Sequence, residues 1–406
     1  MNQMNRDAKL QRELDRRGFL TAAGGAVTFS FMRPELAFGS RANSQIRLGL
    51  VGCGGRGNWL ADLFTEHGGY RFVAACDYFP ARAERFGDKY GVPPERRYAH
   101  LSGYKQMLDD GRLDAIVVET PSYFHPEQAA AGVEAGCHVY LAKPIAVDVP
   151  GCTLVRESAE KATRKQLCYL VDFQTRTHPF YQEAVKRVRF GEIGRIVCGD
   201  AGYQCGPLGR PWRDTGPESR LVNWFHDRAL SGDILTEQNI HAIDVAAWML
   251  DAAPLHAYGV GGRATRDYGD TWDHFQVIYM YPGDVPVSFS SKQCGRGYDD
   301  ILCRLYGERG TVDTHYFGDV TIKGEFPYKG GNVGNLYRDG AVANIATFYD
   351  NITKGRFANE TVPPSVLSNL TTILGRTAAY RRCEVTWDEM MKENEKIDAR
   401  LEGLNA

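Results

Sequence analysis

Short apolar runs alternate with amphipathic stretches from about residue 46 to residue 141. The amphipathic stretches repeat their apolar side chains at helical spacing, whereas the runs are too short for core helices and favour strands. Strands that alternate with helices in this way predict a parallel sheet covered by helices on both faces. The predicted strands are 46–51, 72–76, 114–119 and 138–141, and the predicted helices are 58–67, 80–90, 103–110 and 126–135.

The pattern changes after about residue 165. Strand-like runs dominate from 196 to 314, and several of them alternate apolar and polar residues, which predicts antiparallel neighbours in a largely open sheet. The fold class is therefore α/β, with a parallel sheet followed by a mostly antiparallel open sheet. One strong helix is predicted at 232–250, a long surface loop at 318–338, and two late helices that pack back on the first domain at about 341–354 and 365–381.

A glycine-rich turn, Gly-Cys-Gly-Gly-Arg-Gly, lies directly between the first predicted strand and the first predicted helix. The first glycine permits the tight turn, the second lets the backbone approach a pyrophosphate, and the last lets the helix pack closely on the strand. The helix N-terminus then offers free N–H groups and a positive dipole end to the phosphates. The residues predicted to hold a dinucleotide are Gly52, Gly54, Gly55, Arg56 and Gly57.

An acidic residue, Asp77, ends the second strand about 20 residues after Gly57. A carboxylate at this place hydrogen-bonds the adenosine ribose hydroxyls, and it would repel a 2′-phosphate. The cofactor is therefore predicted to be NAD, with NADP less favoured. The strand order that this motif requires defines a Rossmann domain over residues 44–165, followed by a second domain over 166–390.

The ends of the third and fourth strands carry the candidate chemistry. Because ligands bind beyond the carboxyl ends of parallel strands, Thr120, Pro121 and nearby His125 are expected to line the nicotinamide side. Lys143 ends the next strand and can exchange a proton if burial and the positive nicotinamide ring lower its pKa. The alternative is a salt-bridged surface lysine, but the apolar run before it and Pro144 after it favour the crevice.

A second cluster comprises Glu237, His241 and Asp244, which would share one face of the helix predicted at 232–250. A carboxylate four residues from an imidazole can orient it and stabilise its protonated form. Two alternatives are a buried histidine tied to core acids and a metal site. The metal alternative lacks a further His or Cys at ligand spacing, so no metal is predicted.

The N-terminus carries Arg16 and Arg17, followed by a weakly apolar stretch and a small-residue cleavage pattern that ends at Gly39. This pattern resembles a twin-arginine export signal, so residues 1–39 are predicted to be removed and the protein is expected in the periplasm. The alternative is a surface helix with a chance arginine pair. The ten cysteines are scattered and mostly lie in apolar runs, which favours buried thiols, although a bridge that involves Cys205 or Cys294 is left open.

Composition excludes several other classes of function. The 406 residues include 48 basic and 50 acidic side chains, so no basic excess points to nucleic acid or to a membrane surface. With 43% hydrophobic and 24% charged residues, the chain has the composition of a soluble globular enzyme.

Together these motifs resemble the Gfo/Idh/MocA family of oxidoreductases, and the resemblance extends from about residue 46 to residue 387. It implies a Rossmann domain, an open-sheet second domain, and hydride exchange between nicotinamide and a sugar or polyol carbon. It further implies that Lys143 and His241 form the acid–base pair, that Asp244 assists substrate binding, and that the chain forms a homodimer or tetramer through its open sheet.

Two positions depart from the family pattern. Ala142 replaces the glutamate of Glu-Lys-Pro, which typically helps to hold the nicotinamide end, and Glu237 replaces an aspartate. Hydroxyl-rich ligands need hydrogen-bond donors and a stacking ring, and the candidates for these contacts are Arg176, Trp212, Arg213 and Asn239.

The leading functional hypothesis is a periplasmic, NAD-dependent oxidoreductase that acts on a carbohydrate hydroxyl and retains its cofactor, because free NAD is scarce outside the cytoplasm. One alternative is a glycoside hydrolase that uses NAD only transiently and without net redox change. Another is a non-enzymatic, nucleotide-bound protein in which Lys143 and His241 are idle.

Overall fold

The computed structural model describes residues 45–211 and 216–406. The first sheet has six parallel strands in the order β3-β2-β1-β4-β5-β6, which is the dinucleotide-binding arrangement. Strand order reverses between β1 and β4, and a crevice opens at this point. The strands are β1 Ile46–Val51, β2 Tyr70–Asp77, β3 Arg97–Ala99, β4 Ala115–Val118, β5 His138–Ala142 and β6 Tyr169–Asp172.

Five helices connect these strands and cover both faces of the sheet, as the alternating pattern predicts. The first of them begins inside the glycine-rich turn, three residues earlier than the periodicity indicates, so the turn itself forms the helix N-terminus. The sixth strand lies beyond residue 165 and pairs with β5. The helices are α1 Gly55–His67, α2 Pro80–Tyr90, α3 Gly103–Asp109, α4 His125–Glu134 and α5 Val149–Arg164.

The second sheet has nine strands in the order β14-β13-β12-β11-β7-β10-β9-β8-β15, and its pairs are antiparallel except for β7 with β10. This mixed sheet confirms the predicted fold class. Its strands are β7 Ile196–Cys205, β8 His256–Gly262, β9 His274–Tyr281, β10 Val285–Gln293, β11 Asp300–Gly307, β12 Gly310–His315, β13 Asp319–Gly324, β14 Tyr328–Asn332 and β15 Val385–Thr386.

Two expectations about this half of the chain are wrong. The region predicted as a surface loop forms β13 and β14, because its alternate residues Val320 and Ile322 are buried against the core. The helix predicted at 232–250 is two helices separated at Gln238 and Asn239. The helices of this half are α6 Pro179–Arg189, α7 Pro217–Val222, α8 Arg228–Ser231, α9 Asp233–Glu237, α10 Ile240–Leu250, α11 Leu336–Thr353, α12 Val362–Arg381 and α13 Trp387–Glu393.

The late helices α11 and α12 pack against the first sheet. Phe348 of α11 lies in the same apolar cluster as the inner residues of β1 and α1. The segment between the two helices covers edge strand β6: Asn359 Oδ1 accepts the Tyr169 N–H at 2.7 Å, and Thr361 Oγ1 accepts the Val171 N–H at 3.0 Å. These side chains satisfy donors that an edge strand would otherwise leave unpaired.

All ten cysteines are free thiols, and six of them are buried, including Cys53, Cys76 and Cys303. Cys205 and Cys294 are partly exposed and unbridged. None of the helices in the described part of the chain is long and apolar enough to cross a membrane.

Candidate active site

A crevice of about 350 Å³ opens at the carboxyl ends of β1, β2, β4 and β5. The first sheet contributes the glycine-rich turn and the strand ends, and the second half of the chain contributes α9, α10 and the end of β7. Eleven of the residues that the sequence predicts line the crevice. They are Gly52, Gly54, Gly55, Arg56, Asp77, Thr120, Pro121, His125, Lys143, Glu237 and His241.

The glycine-rich turn fits the phosphates of a dinucleotide. Gly52 has a φ of 100°, and a Cβ there would lie 2.5 Å from the Glu119 carbonyl oxygen, while a Cβ at Gly57 would lie 2.0 Å from the Gly52 carbonyl oxygen. Only glycine permits this close packing. Gly54 and Gly55 instead border open space, and the α1 N-terminus has no side-chain cap, so its N–H groups are available to an anion.

Asp77 occupies the position at which the sequence predicts a ribose-binding carboxylate. Its Oδ2 accepts the Cys53 N–H at 2.8 Å and its Oδ1 accepts the Phe79 N–H at 2.9 Å, which fix the carboxylate beside the turn. Burial raises the pKa of Asp77, while these N–H groups and Arg82, 3.9 Å away, act in the opposite direction. Each oxygen keeps a further lone pair for a hydroxyl donor.

The Arg56 side chain does not extend along the turn. Its guanidinium reaches across the carboxyl edge of the sheet, hydrogen-bonds Asp172, lies 3.2 Å from Glu119 Oε2 and donates to the Tyr337 hydroxyl at 2.7 Å. Both carboxylates are buried. Sequence reasoning missed Glu119 and Asp172, although each is an acid that directly follows or ends a buried strand.

His125 holds two strand ends together. Its Nδ1 lies 2.7 Å from the Pro144 carbonyl oxygen and its Nε2 lies 2.8 Å from the Thr120 carbonyl oxygen, and the neutral ring can donate to one of them at a time. Burial lowers the pKa of His125 to about 4, so the ring is neutral at physiological pH. Thr120 in turn donates to Gln128 at 2.6 Å.

Lys143 enters the crevice from the end of β5 and joins the two halves of the site. Its Nζ donates to the Glu237 carbonyl at 2.7 Å and lies 3.4 Å from Glu237 Oε1. The side chain is only 11% exposed, so the ammonium is held in one place and the surface alternative does not apply. The peptide bond between Lys143 and Pro144 is cis.

Helix α12 fixes both partners of this contact. Arg376 Nη1 donates to the Val147 carbonyl at 2.8 Å, just after the lysine, and to the Gly232 carbonyl at 2.9 Å, where α9 begins. Asn369 pairs with the Ile145 N–H at 3.0 Å and with the Ala146 carbonyl at 3.1 Å. These buried hydrogen bonds set the distance between the lysine segment and α9.

His241 is buried at the start of α10, and its Nδ1 has no hydrogen-bond partner among the described residues. Burial, followed by the positive charges of Lys143 and Arg56, lowers its pKa well below the usual value. The imidazole is therefore neutral at physiological pH and can accept a proton. The break between α9 and α10 corrects the sequence prediction: Glu237 contacts Lys143 and does not orient His241.

The predicted substrate contacts are distributed differently. Arg176 and Asp244 hydrogen-bond each other, at 2.7 Å for Nη2 to Oδ1, and Asp244 also accepts from Ser368. Neither residue lines the crevice, and Asn239 is buried outside its lining. Trp212 and Arg213 lie outside the described residues. Within the described residues, no three His, Cys, Asp or Glu side chains are grouped as metal ligands, so Glu237, His241 and Asp244 do not form such a set.

Several polar residues line the crevice that the sequence did not point to. The fold brings them together from separate parts of the chain, and none of them belongs to a recognisable sequence motif. They include Gln174, Tyr203, Gln238 and Tyr337.

A parallel sheet of this order, an uncapped glycine-rich helix start and a carboxylate at the end of β2 define an NAD-binding Rossmann oxidoreductase. The comparisons with known proteins agree. Residues 46–172 match the profile described as "Oxidoreductase family, NAD-binding Rossmann fold", and residues 181–313 match the GFO/IDH/MocA C-terminal domain. The chain belongs to the Gfo/Idh/MocA family.

Individual relatives cover most of the chain. It is 29% identical over 289 residues to inositol 2-dehydrogenase 2 of Saccharopolyspora erythraea, which covers 69% of this chain and 76% of that protein. It is 25% identical over 264 residues to a glycosyl hydrolase family 109 protein of Shewanella pealeana. This match covers 62% of this chain and 57% of that protein. The aldose–aldose oxidoreductase structure from Caulobacter crescentus, a glycerol complex, superposes with a TM-score of 0.67 at 18% identity over 84% of this chain and 99% of that one.

Replacement of Asp77 by serine tests the basis of the preference for NAD. Loss of the carboxylate removes its repulsion of a 2′-phosphate and leaves Arg82 unopposed, so NADP affinity should rise by roughly tenfold or more. Titration of nucleotide-free protein with NAD and NADP measures both affinities. Asp109→Ser, an exposed change on α3, is the control, and unchanged NADP affinity in Asp77→Ser would contradict the assignment.

Proposed function

We propose that the protein is an NAD-dependent oxidoreductase that acts at a secondary alcohol carbon of a cyclitol or sugar and retains its cofactor between turnovers. The observation that carries the proposal is the convergence of Lys143 and His241 on one crevice, beside a turn built for a dinucleotide. Lys143 comes from the first sheet and His241 from α10, so the fold assembles this pair from distant segments.

The residues of the chain supply proton transfer and positioning. Bound NAD supplies the acceptor or donor of the hydride. Lys143 is held by Glu237 at the mouth between the two halves, where its ammonium can hydrogen-bond a substrate hydroxyl and stabilise negative charge on that oxygen. His241 is neutral because it is buried near two cations. It can accept the hydroxyl proton directly, or it can accept a proton from the Lys143 ammonium while the resulting amine takes the hydroxyl proton.

A polyhydroxylated ring suits the remaining lining of the crevice. Gln174 and Gln238 offer amide donors and acceptors, and Tyr203 offers a ring with a hydroxyl. Such groups recognise several neighbouring hydroxyls at once. The names of the similar proteins, an inositol dehydrogenase and an aldose oxidoreductase, support the same substrate class.

Substitution of Lys143 by methionine tests the proton-transfer role. The change keeps an unbranched side chain that ends where the lysine stem ends and removes the ammonium, so kcat should fall by about 10²–10⁴-fold while NAD affinity changes little. Stopped-flow kinetics and NAD titration on the same protein separate the two effects. Lys105→Met, an exposed change on α3, is the matched control, and near-normal kcat in Lys143→Met would contradict the role.

A substrate panel on the full chain as purified tests the function itself. Nucleotide released by denaturation should be present in near-stoichiometric amount. Addition of NAD with myo-inositol, scyllo-inositol, glucose or another aldose should produce NADH with at least one of them. If protein that contains NAD turns over no cyclitol or sugar, the proposal fails.

The same panel includes aryl glycosides, because the similarity to a family 109 glycosyl hydrolase supports a second candidate function. In that function a ring hydroxyl is oxidised with transfer of hydride to NAD, the glycosidic substituent is eliminated, water adds to the resulting double bond, and the hydride returns to the ring carbon and restores the cofactor. Release of nitrophenol without net NADH would therefore replace the oxidoreductase proposal with this one.

The proposal includes export to the periplasm by the twin-arginine route, with removal of residues 1–39. Arg16 and Arg17 and the weakly apolar stretch that follows support it. The double substitution Arg16→Lys with Arg17→Lys should keep the protein in the cytoplasm, since this route reads the arginine pair. Fractionation of cells against marker proteins of both compartments measures this, and wild-type protein found only in the cytoplasm would contradict export.

A further inference from the structure

The carboxyl ends of three neighbouring strands place Glu119, Ala142 and Asp172 side by side. Val118 pairs with Leu141, so Glu119 follows in register with Ala142, and Ala142 pairs with Asp172. We call these three residues the edge row. Side chains two residues apart on a strand point to the same face of the sheet. The residues two positions before the edge row lie in the apolar cluster that also holds residues of α1 and α11, so the edge row faces these helices. Those earlier residues are Val117, Tyr140 and Leu170.

Arg56 spans the edge row above its small central member. Its guanidinium contacts Glu119 on one side and Asp172 on the other. Ala142 is buried between them and ends at its Cβ, which leaves the space that the guanidinium crosses. One cation thus lies between two buried carboxylates, and the edge row as a whole carries an excess of negative charge when both acids are ionised.

The two carboxylates, Glu119 and Asp172, differ in how many hydrogen bonds they accept. Asp172 accepts from Arg56, from Asn344 Nδ2 at 2.7 Å and from Gln174 Nε2 at 3.3 Å. Glu119 has its Oε2 near Arg56, but its Oε1 is buried and has no hydrogen-bond partner among the described residues. Because a buried acceptor without a donor is costly, the unpaired oxygen indicates a role for which a bound ligand completes the site.

Glu119 also lies in the crevice wall next to Thr120, on the side where Lys143 enters. Burial raises the pKa of Glu119 to about 8, and the charges of Arg56 and Lys143 act to lower it. A further positive charge in the crevice would favour the ionised carboxylate in the same way. The group is therefore poised to respond to the charge of whatever occupies the crevice.

We propose that Glu119 is a positioning residue that supplies buried negative charge at the nicotinamide end of the crevice and favours oxidised over reduced NAD. The oxidised nicotinamide ring is a cation and the reduced ring is neutral, so a nearby carboxylate in a poorly screened site stabilises only the first. The inference rests on the proposed function solely in requiring that the crevice bind NAD. Glu119 also carries a carboxylate one strand away from Ala142, the position at which the family pattern has a glutamate.

The test compares NAD⁺ and NADH binding to nucleotide-free wild-type and Glu119→Gln proteins by calorimetric titration at pH 8.5. The substitution keeps the shape of the side chain and removes its charge. The ratio of Kd for NAD⁺ to Kd for NADH should rise by about tenfold, almost entirely through weaker NAD⁺ binding. A purely structural role would weaken both forms equally, and an unchanged ratio would overturn the inference.

A conservative variant provides the rescue. Glu119→Asp keeps the negative charge at the same position on a shorter side chain and should keep most of the preference for NAD⁺. Asp109→Asn, an exposed acid on α3, is the control for loss of a charge elsewhere and should leave the ratio unchanged. If folded Glu119→Asp protein showed the same ratio as Glu119→Gln protein, the assigned role would be contradicted.

The wild-type protein offers a measurement that needs no variant. The groups that face Glu119 are Arg56, Tyr140, Lys143 and Asp172. Because NAD⁺ favours the ionised carboxylate, NAD⁺ affinity should increase from pH 6.5 to pH 8.5, whereas NADH affinity should not. Equal pH dependence for both forms would overturn the inference, whereas wild-type protein that binds neither form would instead overturn the proposed function.

Discussion

The site depends on the contact by which Lys143 reaches from the end of the first sheet to the Glu237 carbonyl at the end of α9. Neither partner is held by its own element alone. Arg376 of α12 hydrogen-bonds the segment after the lysine and the residue that precedes α9, and Asn369 pairs with the same lysine segment. A late helix therefore sets the distance between two segments of the candidate site that are far apart in sequence.

This packing determines which charged groups lie next to one another in the site. Lys143 and Arg56 bring two cations to a crevice that also holds a buried imidazole, and burial together with these charges keeps His241 neutral. Arg56 pairs with the carboxylates that the sheet places at its edge, Glu119 and Asp172, and Lys143 lies beside the Glu237 carboxylate. The site thus combines a neutral proton acceptor with a fixed cation next to it, which is an arrangement suited to removing a proton from an alcohol and stabilising the oxygen that remains.

Local patterns predict the parts of this site that depend on short segments. The glycine-rich turn, Asp77 and the strand ends that carry Thr120 and Lys143 are fixed by strand–turn–helix chemistry, and each lies where the sequence indicates. The apolar periodicity of 232–250 conceals the break at Gln238 and Asn239, because residues on both sides of the break are buried. The pairing of Arg56 with Asp172 spans 116 residues, and that of Arg176 with Asp244 spans 68, so neither leaves a signal in local sequence.

We propose that hydride passes between a substrate carbon and NAD held in this crevice. The most direct measurement incubates the NAD-loaded full-length protein with carbon-deuterated myo-inositol and carbon-deuterated glucose, then determines the mass of the nucleotide released by denaturation. We expect a reduced nicotinamide that carries one deuterium from the substrate carbon. Product formation with a nucleotide that never acquires deuterium would contradict it.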